Sequence, residues 1–300
     1  MNKIKIIAVP SSAGARRIGQ ERAPESFRRA GLTKALEAGG IEVVDFVYLD
    51  QVVFRPDPAH AREQNLDLVL QVAQRVTEQV SEAVAQNAKP IVLGGDCTIT
   101  LGVISGLIRN VSNLGLVYFD GDVDLNTPQT TTSGIFDGMV MSHIIGEGSE
   151  ALAHIGSRYP LMPQENIVLF GYNSASGWID EAEMQRLEQS SMLKYPAERI
   201  RGQAAHAATE ALAQLDPLAQ CILIHFDVDV IDRRDFAAAD VLHDHGLTFD
   251  EAMAALKVFA SSPKFKGLVI TEFNADRDED GSLGQRLVDA VAQVLAESAI

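Results

Sequence analysis

The chain has 300 residues, 46% of them hydrophobic, and sets 41 Asp and Glu against 25 Lys and Arg, a formal charge of −16. That hydrophobic content excludes intrinsic disorder, and no apolar run approaches the roughly 20 residues that cross a bilayer. The acidity disfavours nucleic acids and anionic membranes as partners and suits cationic substrates and metal ions, while two cysteines, Cys97 and Cys221, make no disulfide scaffold and fit a reducing cytoplasm.

In chain order, apolar runs alternate with helical patterns. "IKIIAV" (4–9) predicts a first strand, too short for a secretion signal, and a loop with Gly14 and Gly19 follows. Pro24 opens a helix that Gly39 and Gly40 stop, and "IEVVDF" is a second strand. Apolar residues at 3–4 spacing predict one long amphipathic helix over 61–86. Five further runs then end in polar residues or glycine: "KPIVLGGD" (89–96), "LGLVYFD" (114–120), "NIVLFGY" (166–172), "CILIHFDVDV" (221–230) and "GLVITEFN" (267–274). Helices are expected near 98–109, 137–146, 179–191, 201–214 and 249–261, with a last one over 283–298. Runs this apolar are strands buried on both faces. The chain therefore reads as a single three-layer α/β/α domain, residues 1–300, with a mainly parallel sheet.

In such sheets ligands bind beyond the carboxyl ends of the strands. Those ends are "GGDC" (94–97), "DGDVD" (120–124), "DVDVID" (227–232) and "TEFN" (271–274). Period-2 geometry would point Asp227 and Asp229 to one side, and would align Asp120, Asp122 and Asp124 if their strand persists. Carboxylates gathered in this way must hold cations or protonate, so a dinuclear divalent site is expected. Other residues carry plainer readings. Cys221, Trp178, Phe119, Phe170 and Phe226 read as packing residues, His143 as a helix-surface residue, and His243 and His245 as part of a solvated loop. His225 lies one pleat from Asp227 and reads either as a group beside the site or as a packed strand histidine.

Together these motifs resemble those of the arginase/agmatinase (ureohydrolase) family, in order and over nearly the whole chain. The family's "GGDH" is matched by Gly94-Gly95-Asp96-Cys97, its "DAHxD" by residues 120–124, its "SxDVDxxDP" by "HFDVDVIDR" (225–233), and its "EVN" by Glu272-Phe273-Asn274. "NTPQTTTSG" is similar to the segment with which arginases proper hold the α-carboxylate of an amino acid, which implies that role for Asn126, Thr131 and Ser133. Glu272 would pair with the guanidinium. The resemblance implies hydrolysis of a guanidino carbon–nitrogen bond by water activated between two divalent ions, manganese first, with zinc or iron(II) as competitors because a thiolate softens one site. One ion would be held by Cys97, Asp120, Asp124 and Asp227, the other by Asp120, Asp122, Asp227 and Asp229, with Asp124 also orienting the attacking water. A homo-oligomer is the family's habit.

The departures are specific. Cys97 and Asp122 stand where the family has metal-binding histidines, and Asp137 stands where "SGNxHG" carries a proton-shuttling histidine. The cysteine, together with the "DG" of Asp120-Gly121, "NTPxTT" and "GMVxS", also resembles a smaller branch that includes Nω-hydroxyarginine hydrolases. Loss of all three motif histidines leaves an alternative, a non-catalytic binding or regulatory protein on the same fold. Hydrolysis of another linear amidine or amide, such as a formimino amino acid, is a third.

Overall fold

Among the described residues eight strands pair in parallel throughout: β1 (Lys3–Ala8), β2 (Glu42–Tyr48), β3 (Lys89–Leu93), β4 (Leu114–Phe119), β5 (Ile167–Phe170), β6 (Leu193–Tyr195), β7 (Cys221–Asp227) and β8 (Phe265–Thr271). Their order across the sheet is β2-β1-β3-β8-β7-β4-β5-β6. The structure, a computed structural model, describes residues 3–298. The helices among them are α1 (Ala23–Arg29), α2 (Leu32–Ala38), α3 (Leu66–Ala85), α4 (Ile99–Ile108), α5 (Val140–Ile144), α6 (Glu150–Ala153), α7 (Glu181–Gln189), α8 (Ala197–Ile200), α9 (Ala204–Leu215), α10 (Phe249–Ala260) and α11 (Ser282–Glu297). Among the described residues no helix is long and apolar enough to cross a membrane.

Alternation along the strands divides the core into two layers. Val117 and Phe119 of β4, with Ile222, Ile224 and Phe226 of β7, face the side covered by α9, α10 and α11. Leu116, Tyr118 and Leu223 face the side covered by α3, α4 and α5. Phe119 meets Phe170 edge-on at 5.0 Å and Phe226 at 5.3 Å between ring centroids, so these three aromatics are packing residues as expected. With both faces buried, every backbone amide of the central strands must find its partner in the ladder, which is why the runs are short and uninterrupted.

Several boundaries differ from expectation. The first helix breaks at Gly31, whose φ of 80° no helix accommodates, giving α1 and α2. The long helix begins at Leu66 rather than 61, because the preceding segment turns around Asp57. The three-residue β6 and the single-turn helices α6 and α8 were not foreseen, being too short to carry a periodic signal. His143 is buried, not on a helix surface. Its Nδ1 lies 2.5 Å from the Met139 carbonyl, its Nε2 accepts from the Ser149 amide at 3.0 Å, and burial lowers its pKa to about 4. Trp178 is half exposed rather than packed.

Candidate metal centre

The four strands whose ends carry the polar motifs, β3, β8, β7 and β4, are consecutive across the sheet. Parallel pairing puts all four carboxyl ends on one edge, about 4.8 Å apart from strand to strand. After β3, Gly94 (φ 81°) and Gly95 (φ 91°) turn the chain through left-handed backbone that a side chain resists. Asp96 then accepts the amides of Gly14 (3.0 Å) and Thr98 (3.1 Å), so its carboxylate builds the turn and leaves Cys97 to face the edge.

The aspartates converge by a different device from the one expected. β4 stops at Phe119 and β7 at Asp227, and Val228–Val230 form a 3-10 turn, so the pleat does not continue through the motifs. Instead each leading carboxylate folds its own loop. Asp120 accepts the Asp122 amide at 2.7 Å, and Asp227 accepts the Asp229 amide at 2.8 Å. Asp229 in turn accepts the Gly121 amide at 3.0 Å, which locks the two loops together. Asp124 lies past a further bend with φ 49°, its carboxylate taking a hydrogen bond from the Tyr118 hydroxyl.

Among the described residues three groups of candidate ligand atoms result, each with its atoms within 4.8 Å of one another: Cys97, Asp120, His225 and Asp227; Asp122, Asp229 and His243; and Cys97, Asp137 and Glu272. In the first, Cys97 Sγ stands 2.8 Å from Asp227 Oδ2 and 3.9 Å from Asp120 Oδ2. His225 joins it as a buried ring stacked on Tyr118, centroids 4.1 Å apart. Its Nδ1 meets Thr100 Oγ1 at 2.8 Å and its Nε2 meets Asp120 Oδ2 at 3.3 Å. His225 therefore takes the first of its two expected readings, a group beside the site. Against the expectation of a solvated loop, His243 is buried against Asp122 and Asp229, and of the pair only His245 is exposed. In the third group Asp137 Oδ1 accepts the Cys97 amide at 2.8 Å. Glu272, at φ 62°, turns inward, and Gln20 Nε2 donates to its Oε2 at 3.0 Å.

Burial and crowding set the electrostatics. Burial first, then mutual repulsion, pushes the pKa values of Asp120, Asp124, Asp227, Asp137 and Glu272 well above the ordinary carboxylate range. Burial, and after it the Asp227 charge, raises the Cys97 thiol too, so without a cation Cys97 donates to Asp227. Burial holds His225 neutral, its pKa down at about 3. For His243 burial opposes the imidazolium, but Asp122 and then Asp229 outweigh it and push the pKa up to about 11.

Above this floor opens a cleft of about 380 Å³ lined by Asp122, Asp124, Asn126, Thr131, Ser133 and Asp137, with Trp178, Arg16 and Arg17 also on its wall. Thr131 Oγ1 accepts the amides of Ser133 (3.2 Å) and Gly134 (2.9 Å), and Asn126 Oδ1 accepts from Thr130 Oγ1 at 2.9 Å. The loop is thus fixed by its own hydroxyls and presents neutral polar groups.

A pair of divalent ions fits these residues. Among the described residues Asp122 Oδ1 and Glu272 Oε1 are buried with no hydrogen-bond partner, and His243 Nε2 has none beyond its ion pairs with Asp122 and Asp229; unpartnered buried carboxylate oxygens cost free energy unless a cation or cationic ligand completes them. The donors are carboxylate oxygens, imidazole nitrogen and one sulfur, a set that suits manganese, iron(II) or zinc. The sequence signals missed His243, whose "HDH" context is polar and aperiodic. The sole available cue was glycine at 121, where the "DAHxD" motif has alanine.

Comparison with known proteins agrees with this geometry. The Arginase family model matches residues 2–299. The arginase of Brevibacillus brevis is 28% identical over 303 aligned positions, covering 99% of both chains. The crystal structure of arginase from Bacillus caldovelox superposes with a TM-score of 0.90 at 26% identity, covering 100% of both. Formimidoylglutamase of Bacillus subtilis shares the fold at a TM-score of 0.77 and 18% identity, covering 100% of this chain and 88% of that one.

Proposed function

Because the chain belongs to the arginase family, we propose that it is a metal-dependent hydrolase that cleaves a guanidino carbon–nitrogen bond of an arginine-like amino acid, arginine or Nω-hydroxyarginine, releasing urea or hydroxyurea. The observation that carries this reading is the stacking of two environments in one cleft. Buried acidic ligands form the floor, and neutral hydroxyl and amide groups that suit a carboxylate line the wall.

Cys97, Asp120, Asp124 and Asp227 would hold one ion, and Asp120, Asp122, Asp227 and Asp229 the other. When bound, the ions supply Lewis-acid activation of water and neutralise the carboxylates. Manganese is our first choice, with zinc or iron(II) favoured in proportion to the softness of Cys97. Glu272 offers an unpartnered Oε1 to a guanidinium, while Asn126, Thr131 and Ser133 receive the α-carboxylate. Asp124 accepts a hydrogen bond from the attacking water. Asp137, half-buried between the cleft and Cys97, hands a proton to the leaving nitrogen. The family likeness and the two free, buried cysteines support a cytoplasmic homo-oligomer, with 1–300 as one unit.

The direct test is release of urea or hydroxyurea by manganese-loaded protein from L-arginine, Nω-hydroxy-L-arginine and agmatine in parallel. Turnover of an amino-acid substrate and not of agmatine is expected. Silence on all three at pH 7 and pH 9.5 would move the chain to the non-catalytic alternative. Glu272→Gln is expected to raise KM more than it lowers kcat. Losing a charge-assisted contact to a guanidinium costs about 1.5–3 kcal/mol, roughly 10–100-fold. An unchanged KM would remove Glu272 from substrate binding.

A further inference from the structure

We propose that His243 is a ligand of the second metal, replacing from a distant loop the imidazole that the family motif carries at position 122, and that glycine at 121 is what admits it. This rests on the dinuclear reading above.

The ring is placed as a ligand would be. His243 is 2% exposed, and among the described residues its Nε2 makes no hydrogen bond of good geometry, only ion pairs with the carboxylates it points at. It lies 3.3 Å from Asp122 Oδ2 and 3.6 Å from Asp229 Oδ2. Atoms sharing one ion at bonds of about 2.1 Å sit roughly 3.0–3.4 Å apart in octahedral or tetrahedral arrangements. The separations therefore match the edges of a coordination shell with little adjustment. Asp122 Oδ1, on the same carboxylate, is buried and unpartnered among the described residues. The opposite ring nitrogen, Nδ1, meets Ser176 Oγ at 3.2 Å, an outer hydrogen bond that fixes ring orientation and turns Nε2 inward, where a bound ion would take the place of its proton.

The loop that presents the ring is tied on both sides. The Arg233 amide donates to the His243 carbonyl at 2.9 Å, Asn173 Nδ2 donates to the Asp244 carbonyl at 2.6 Å, and Asp232 accepts the His245 amide at 2.8 Å. Gly121 supplies an independent observation. A Cβ there would stand 2.6 Å from His243 Cδ2, 2.9 Å from His243 Nε2 and 2.9 Å from Asp229 Oδ1, closer than real contacts allow. The alanine of "DAHxD" and a histidine at 243 can share this space only if the His243 ring or the Asp229 carboxylate shifts from its position here. The two departures, alanine to glycine at 121 and histidine to aspartate at 122, thus belong to one rearrangement: the motif gives up its own imidazole and opens the gap through which another enters.

The rival is an imidazolium that occupies the second site in place of an ion. Both are resolved by counting metal on full-length protein, stripped with chelator, reloaded with manganese(II) and dialysed, with affinities from titration of free manganese(II) by electron paramagnetic resonance. Wild type is expected to hold two ions. His243→Gln and Gly121→Ala should each weaken the second ion by at least about 10–100-fold, the loss seen when even an outer partner of a ligand is removed, and leave the first in place. The double variant Asp122→His/His243→Ala returns the imidazole to its motif position and should regain the second ion. A purely structural role for His243 would not predict that rescue. Two ions of unchanged affinity in both His243→Gln and Gly121→Ala would overturn the proposal, as would one ion in wild type with a second gained in His243→Gln. No ion in wild type would instead sink the dinuclear reading itself, a distinct result.

Discussion

Asp227→Asn is expected to lower turnover by about 10³-fold or more while making the chelated protein more stable. Asp227 is 1% exposed and belongs to the candidate ligand group of Cys97, Asp120 and His225. It accepts from Cys97 Sγ at 2.8 Å, from Thr271 Oγ1 at 3.2 Å and from the Asp229 amide at 2.8 Å. Its charge would be shared by both ions. Removing it forfeits several kcal/mol of Lewis-acid stabilisation, and each 1.36 kcal/mol is tenfold in rate. The same change relieves the metal-free chain. Burial first, then Asp229, makes the ionised form of Asp227 costly, and asparagine cannot ionise but keeps an oxygen for the Asp229 amide. Steady-state assays and urea denaturation in chelator at pH 8 check the two halves. Turnover within tenfold of wild type, with two metals retained, would exclude Asp227 as a shared ligand.

The second large effect is on stability against pH. After chelation the folded chain should lose stability steadily from pH 6 to pH 8.5, and manganese should restore it most at the alkaline end. The sign follows from the shifts. Asp120, Asp124, Asp227 and Glu272 have folded pKa values well above their unfolded ones. Above the ordinary carboxylate range the folded state therefore binds more protons than the unfolded state, and stability falls as pH rises through the folded values. His243 acts in the same direction. With its folded pKa at about 11, its contribution is fully present below about 6.5 and is lost as pH climbs toward 11. His225, at about 3, and His143, at about 4, act oppositely: buried neutral, they lose stability as pH falls below their unfolded value. The chelated protein should thus be most stable on the acid side of neutrality. Each proton held only by the folded state contributes about 1.4 kcal/mol per pH unit. Thermal melts with chelator and with manganese at both pH values check this, and a chelated Tm that is flat or rises between them would contradict it.

The sheet and its active edge were legible because doubly buried strands must be continuously apolar, and because the polar residues ending "LGLVYFD" and "CILIHFDVDV" break that rule at one end only. The gathering of acidic residues at one edge was legible, but not its pairing: ligand atoms of Asp120 and Asp227, and of Asp122 and Asp229, come within 4.8 Å of one another, while Asp124 joins none of the three groups among the described residues. Alternate spacing suggested a pleat, whereas each leading carboxylate bends its own loop, and a side chain bonding to backbone two residues on leaves no periodic trace. His243 was illegible for a stronger reason. Nothing in "VLHDHG" distinguishes a ligand loop from a solvated one, and its partner glycine is over a hundred positions away. Only an ångström-scale clash joins them. Trp178 failed in the other direction: aromatic character implied packing, but its backbone follows the Ser176 turn at the mouth of the cleft, where a large ring can line a binding surface.

The place of β8 carries one more consequence. It is the last strand made, yet it lies in the middle of the sheet, between β3 and β7. A growing chain that has emerged only as far as α10 can assemble β2-β1-β3 and β7-β4-β5-β6 as two separate ribbons, each with a raw, hydrogen-bond-hungry edge. The final segment must thread into the gap and weld them. Cys97 belongs to one ribbon and Asp120 and Asp227 to the other, so the binding edge comes into being only at that weld. A chain cut short before β8 would therefore lack the strand that joins the ribbon carrying Cys97 to the one carrying Asp120 and Asp227, and would keep both of their edges open.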